Sequence, residues 1–194
     1  MKREMLIRQR GFSLIEVLVA AVIMSVGVLG VAGMQVASLQ QNRTALLRSE
    51  AQQLAWDLSD RMLVNPQATY AAVDFSEAPS FTTNCSNSNC TLAQMAEYDI
   101  AQWKCAINAK DNNDTEYAAC NGSNLDIAGT LPGGQGQIEI KGSTSTDGNV
   151  CDMSAAQDAG EYCIVVRWLN TDGATYSTVQ LQTRVAFDAP PTAP

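Results

Sequence analysis

The sequence predicts an α+β chain: a long N-terminal α-helix packed on a small antiparallel β-sheet, with disulfide-rich loops. Three observations predict it. No proline interrupts residues 12–65, and apolar residues fill that stretch first on all sides and then on one face. Short segments late in the chain alternate apolar and polar residues with a period of two. All six cysteines (Cys85, Cys90, Cys105, Cys120, Cys151 and Cys163) lie beyond the apolar helix.

The first element is a basic leader, residues 1–11. Lys2, Arg3, Arg8 and Arg10 against Glu4 give it a net charge of +3. From Phe12 to Met34 there are 23 residues, of which only Ser13, Glu16 and Ser25 carry polar side chains. At about 1.5 Å per residue this run spans a hydrocarbon core of ~30 Å. The positive leader stays in the cytoplasm and sends the C-terminal remainder outward, so residues 12–35 are expected to form a single membrane-crossing helix. A carboxylate within such a helix costs roughly 2.5–3.5 kcal/mol, so Glu16 calls for a cationic partner. Cleavage after Gly11 would supply one, because the new amine of Phe12 lies one helical turn away. A secretory signal peptide cut near Val31-Ala32-Gly33 explains less, since such h-regions run about 7–15 residues and lack a carboxylate. A plain signal anchor leaves the Gly11-Phe12 junction and Glu16 without a reason.

Residues 36–65 continue the helix as an amphipathic one. Leu47, Ala51, Leu54, Leu58 and Met62 mark one face, with Asp57 and Arg61 at i,i+4 beyond it. Asn65, which precedes Pro66, is disfavoured in the α region and ends the element. Gly27, Gly30 and Gly33 each cost up to about 1 kcal/mol in an exposed helix. They are tolerated where another helix packs closely.

Residues 66–188 form one extracytoplasmic domain. Asn84 to Asn89 is a loop pinned by two cysteines. Leu92 to Ile107 has helical spacing through Met95, Tyr98, Ala101, Trp103 and Ala106. Asp111 to Asp114 is a solvated turn rather than a calcium loop, since the glycine of an EF loop is missing. Leu131-Pro132-Gly133-Gly134 turns into a strand over 137–141. Tyr162 to Leu169 is the most apolar strand. Thr175 to Phe187 is a third, with Val179, Leu181, Thr183 and Val185 on its apolar face. Asn170-Thr171-Asp172-Gly173 supplies the hairpin signal between the last two. The result is an antiparallel meander able to cover the helix. Residues 189–194 read as a flexible tail.

The six cysteines, even in number and confined to the exported part, read as disulfides in an oxidising compartment. Six allow 15 pairings. Sequential pairing is the simplest, and closing a 15-residue loop contributes on the order of 3 kcal/mol. A zinc site of four cysteines would need paired knuckles that these spacings do not form. The chain has no histidine, which excludes a Ser-His-Asp triad, a Cys-His dyad and every histidine-bearing metal site. A serine–lysine pair would need Lys104, Lys110 or Lys141 as base, and no S-x-x-K spacing supports it. No cofactor or metal is expected, and the chain is read as a non-enzyme rather than an anchored hydrolase. Removing the leader takes the net charge from −8 to −11, which repels phosphate backbones and argues against nucleic acid.

The Gly11-Phe12 junction, with Glu16 four residues on at the head of an apolar run, resembles the class III signal of type IV prepilins and pseudopilins. The resemblance implies that a prepilin peptidase cuts between Gly11 and Phe12 and methylates the new amine of Phe12. It also implies that Glu16, fifth in the mature chain, pairs with the terminal amine of a neighbouring subunit. Major pilins of the family often carry a proline near the position held here by Gly33, a departure in this chain. The run Gly27-Val28-Leu29-Gly30-Val31-Ala32-Gly33-Met34-Gln35 is similar to that of the type IV pilus modification proteins, the PilV-like minor pilins. So are Arg48-Ser49-Glu50-Ala51 and the stretch Leu54-Ala55-Trp56-Asp57-Leu58-Ser59-Asp60-Arg61-Met62.

The resemblance covers residues 11–66 and implies a low-abundance subunit that helps to initiate or cap a type IV pilus, supporting twitching motility and attachment. Its implied partners are the prepilin peptidase, the other minor pilins, the major pilin, the inner-membrane assembly platform and a large tip adhesin. Its implied course runs from single-pass inner-membrane protein, with the C-terminal domain periplasmic, to pilus tip. A minor pseudopilin of a type II secretion system shares the same N-terminus. A tip adhesin and a DNA-uptake pilin are further alternatives, the latter disfavoured by the acidic charge.

Overall fold

Pro66 sets the first boundary: helix α1 runs from Leu14 to Val64 and stops before the Asn65-Pro66 pair. In this computed structural model the described residues are 11–122, 124–140, 145–148, 150–151 and 160–185. The leader, Lys141 and the 189–194 tail lie outside them. The chain divides into two compact units between Ala45 and Leu46, within α1.

Ala51, Ala55, Leu58 and Met62 of α1 are fully buried, with Leu47 and Leu54 half-buried beside them. The spacing of four, three and four puts these residues on one helical face, and that face is what the rest of the unit covers.

Helix α2, Leu92–Ile107, starts at Thr91. The Thr91 hydroxyl accepts from the backbone of Gln94 at 3.3 Å, and the Gln94 side chain accepts from the backbone of Thr91 at 3.0 Å. This reciprocal box satisfies two orphan amides at the helix start. The face expected from spacing is only part of what α2 buries. Met95 and Ala106 are half-buried, whereas Asp99 and Lys104 are nearly enclosed. Asp99 is met by Arg61 and Tyr70, and Lys104 by the carbonyls of Asp74 and Glu77, so these polar positions are covered too.

Strands β1 (Gln135–Ile140), β2 (Glu161–Leu169) and β3 (Tyr176–Arg184) form an antiparallel sheet in the order β1-β2-β3. Ile138 pairs with Ile164, and Val166 with Val179. Ile138, Tyr162, Ile164, Val166 and Trp168 join the α1 and α2 side chains in the main core. The turn into β1 requires glycine at Gly133, whose φ is +55°. At the hairpin between β2 and β3 the Asp172 carboxylate accepts the amides of Ala174 and Thr175, each at 3.0 Å. These bonds, led by that of the Thr175 hydroxyl, hold the exposed Asp172 carboxyl down at about 2.

The other face of the sheet is also covered. Gln137 and Glu139, the polar members of an alternating strand, are buried, with Gly148, Val150 and Cys151 bonded to them. Glu139 accepts the amide of Val150 at 2.6 Å and that of Cys151 at 3.2 Å. Phe75, Cys151, Cys163 and Val165 form a small second core there. Disulfides join Cys85 to Cys90, Cys105 to Cys120 and Cys151 to Cys163.

Candidate functional site

Gly11 and Phe12 precede α1 in non-helical backbone. The carbonyl of Ser13 accepts the amides of Glu16 at 3.0 Å and of Val17 at 3.3 Å, so the helix begins there. Glu16 lies in the first turn, where a carboxylate favours the positive end of the helix dipole. Ser13 and Glu16 also have the S-x-x-E spacing of a capping box, a signal legible in the sequence.

Every residue from Gly11 to Leu46 is exposed. Sixteen large apolar side chains between Phe12 and Leu39 stand in contact with solvent, Phe12 at 83% and Leu14 at 91%. Burying each would return roughly 1.5–3 kcal/mol, a total on the order of 25–50 kcal/mol. That exceeds the whole stability of a typical domain, about 5–15 kcal/mol. The segment therefore requires a second apolar environment. It is also long and apolar enough to cross a membrane.

The glycines add a geometric fact. A Cβ built at Gly27, Gly30 or Gly33 meets nothing within 4 Å. No contact among the described residues asks for glycine there, and the helix continues through all three. Beside them Met24, Gly27, Val28, Val31, Ala32 and Gln35 outline a shallow apolar hollow on the helix surface.

Further along α1, Arg61 does more than pair with its helical neighbour. Its Nε donates to Asp57 at 2.9 Å. Its Nη1 reaches α2, at 3.2 Å from Asp99 and 2.6 Å from Gln102. The other Asp99 oxygen accepts from the Tyr70 hydroxyl at 2.9 Å. Burial, and then the charge of Asp99, raise the Tyr70 pKa far above the usual phenol value. Sequence reading placed Arg61 only on an outer i,i+4 pair, since no local spacing reports a contact 38 residues away.

The lysines considered as bases are placed as follows. Lys104 is buried, and its ammonium donates to the carbonyls of Asp74 and Glu77, both at 2.6 Å. Burial pulls its pKa down to about 8. The Lys110 ammonium donates to Asp114 at 2.9 Å on the surface. Lys141 lies outside the described residues. Among the described residues there is no group of three or more cysteine, aspartate or glutamate side chains placed to hold a metal ion.

Residues 6–32 match the prokaryotic N-terminal methylation motif. Residues 33–101 match the family described as type IV pilin Tt1218. Over these two adjoining stretches the chain is similar to type IV pilins. No curated protein and no solved structure matches it. The methylation motif implies processing by a prepilin peptidase and assembly with pilins. The family is structural rather than enzymatic. The first match falls on the exposed apolar half of α1, and the second continues through the buried half into α2.

Proposed function

We propose that this pilin is a minor subunit of the PilV-like branch, which helps to initiate, prime or cap a type IV pilus and so supports twitching motility and attachment. The observation that carries an assembly role is the exposed half of α1: sixteen unburied apolar side chains, three glycines with open space around them and one carboxylate. Glycines that weaken a helix without serving their own chain make room for another helix. Assignment to the minor-pilin branch rests on the residues of 27–35 and 48–62.

In this reading the prepilin peptidase cuts between Gly11 and Phe12, leaving residues 12–35 as membrane and then filament-core helix. Residues 36–65 carry that helix into the domain, 66–188 complete the domain and 189–194 trail from it. The leader stays cytoplasmic and the domain periplasmic until the inner-membrane platform extracts the subunit into the pilus tip, beside other minor pilins, the major pilin and a tip adhesin. Glu16 neutralises the N-methylated amine of Phe12 on a neighbouring subunit as the helix inserts. The sheet domain selects neighbours, and the protein performs no turnover.

Deleting the gene and measuring surface pili, twitching and secretion of type II substrates tests this. Loss of pili and twitching with secretion intact is the expected result. Lost secretion with normal pili would assign the chain to the minor pseudopilins instead.

A further inference from the structure

The chain contains five Asn-x-Ser/Thr triplets, at Asn42, Asn84, Asn89, Asn113 and Asn121. The triplet marks an acceptor for N-linked glycans only where it lies on the surface of an exported segment. Asn42 lies inside α1, where the Thr44 hydroxyl donates back to the Gln40 carbonyl at 3.1 Å. Asn84 and Asn89 have Cys85 and Cys90 as their middle residues, and those two are bonded to each other. The third residue of the Asn121 triplet, position 123, lies outside the described residues.

Asn113 differs from all four. Asn112 to Glu116 are exposed without a break. The Asp111 carboxylate accepts the backbone amides of Asn113 and Thr115, each at 2.8 Å, and the Asp111 amide donates to the Thr115 carbonyl at 2.8 Å. A bridge between Lys110 and Glu116 closes the base of this turn, and Asp114, with φ at +61°, sits at its bend. The loop is therefore a projecting, preformed turn inside the segment closed by Cys105 and Cys120. It also places a carboxylate two residues before the acceptor, a charged handle that none of the other four triplets has.

We propose that Asn113 is an N-glycosylation site, taking an oligosaccharide from a polyprenyl pyrophosphate donor through a membrane-bound transferase. A bond forms between Asn113 Nδ2 and the anomeric carbon of the first sugar. The bond from that carbon to the pyrophosphate oxygen breaks, and the pyrophosphate leaves with the electron pair. The side-chain amide gives up one proton. The Thr115 hydroxyl serves as the recognition group of the transferase. The inference rests on the periplasmic placement proposed above, because the donor and the transferase act on exported chains.

The test is peptide mass spectrometry on full-length protein purified from membranes and pili of its own cells, together with protease accessibility in intact spheroplasts. The expected result is a glycopeptide containing Asn113 on most of the exported protein, lost entirely in N113Q and in T115V and retained in T115S. N113Q and T115V should keep the thermal midpoint of the deglycosylated parent, since both positions are exposed. A protease-accessible, exported protein with unmodified Asn113 overturns the proposal and leaves the pilin reading standing. A glycan mapped to another triplet overturns it too. A domain that stays inaccessible on the cytoplasmic side overturns the topology on which both depend.

Discussion

Gly136→Ala is expected to destabilise the domain by about 2 kcal/mol, although most Gly→Ala changes in a strand do the opposite. A Cβ on Gly136 would lie 2.5 Å from Cη2 and 2.7 Å from Cζ3 of Trp103, and 2.6 Å from Cδ1 of Ile107. Favourable carbon contacts begin near ~3.5 Å, so one side must move by almost an ångström. Trp103 has little room to retreat. It is fully buried, and its indole N–H donates to the Leu54 carbonyl at 2.9 Å. Overpacking of this kind costs about 1–3 kcal/mol, and loss of the indole bond adds about 0.5–1.5 kcal/mol. The stiffer unfolded chain returns only about 0.4–1 kcal/mol. For a unit of this size each kcal/mol moves the midpoint by roughly 2–4 °C, so a fall of about 4–8 °C is expected. Thermal unfolding of the full chain in detergent, followed by near-UV circular dichroism, measures it. Adding Ile107→Val, which removes one of the two contacts, should restore part of the loss. A midpoint unchanged or raised in Gly136→Ala would refute the close seating of β1 on Trp103.

The remaining predictions are shorter. The mature chain should begin at an N-methylated Phe12, and Gly11→Val should leave the leader attached; intact mass of membrane protein reads both, and a start at Met1 or after Ala32 would defeat the processing proposal. Glu16→Gln should be processed normally yet incorporate poorly into pili, because breaking a desolvated charge pair from one side costs about 3–5 kcal/mol. Normal incorporation would mean that the carboxylate only reaches toward headgroups. Lys104 holds a proton to the ordinary lysine range when unfolded but only to about 8 when folded. Between those values the unfolded state binds more protons, so the contribution to stability rises with pH, by at most about 3 kcal/mol. Tyr70 reverses the trend above the usual phenol range, since its folded pKa is raised and the unfolded chain loses its proton first. Lys104→Met should abolish the rise between pH 8 and 10 in urea titrations, and an equal slope in parent and variant would count against it.

Much of the fold was legible because it rests on local periodicity. The proline-free run from residue 12, the helical spacing over 92–107 and the Asn170–Gly173 hairpin are short-range signals, and α1, α2 and the β2–β3 turn follow them. The first strand starts at Gln135, two residues before the expected 137. Gly136 pulls that end of the strand onto Trp103, a contact that no strand pattern encodes. The third strand ends at Arg184, while part of the expected 175–187 span lies outside the described residues. The burial of Gln137 and Glu139 was not legible either. Alternation tells which residues share a face, but not that Gly148, Val150 and Cys151 return to the polar one. At the candidate site, the roles proposed for Gly11, Phe12 and Glu16 rest on membrane thickness and the cost of a buried charge, which act on sequence directly. The Arg61 tie could not be read, since α2 approaches α1 only after the intervening chain has folded.

That tie bears on how a domain stays attached to a helix under load. The face of α1 made by Ala51, Ala55 and Leu58 is apolar and built from small or smooth side chains, so dispersion alone resists sliding along the axis weakly. Directional bonds cross the interface at three levels. The Trp103 indole reaches the Leu54 carbonyl at 2.9 Å, the Ser59 hydroxyl donates to that of Thr183 at 2.8 Å, and Arg61 holds Asp99 and Gln102. A slip of one residue, about 1.5 Å, would break all three together and leave buried polar groups unpaired. In the assembly proposed here, force enters through the apolar half of α1 while contacts with neighbours form on the domain. The three bonds therefore sit where force must pass from α1 to α2 and the sheet. They make the register of α1 against α2 and the sheet a fixed property of the subunit rather than of the filament.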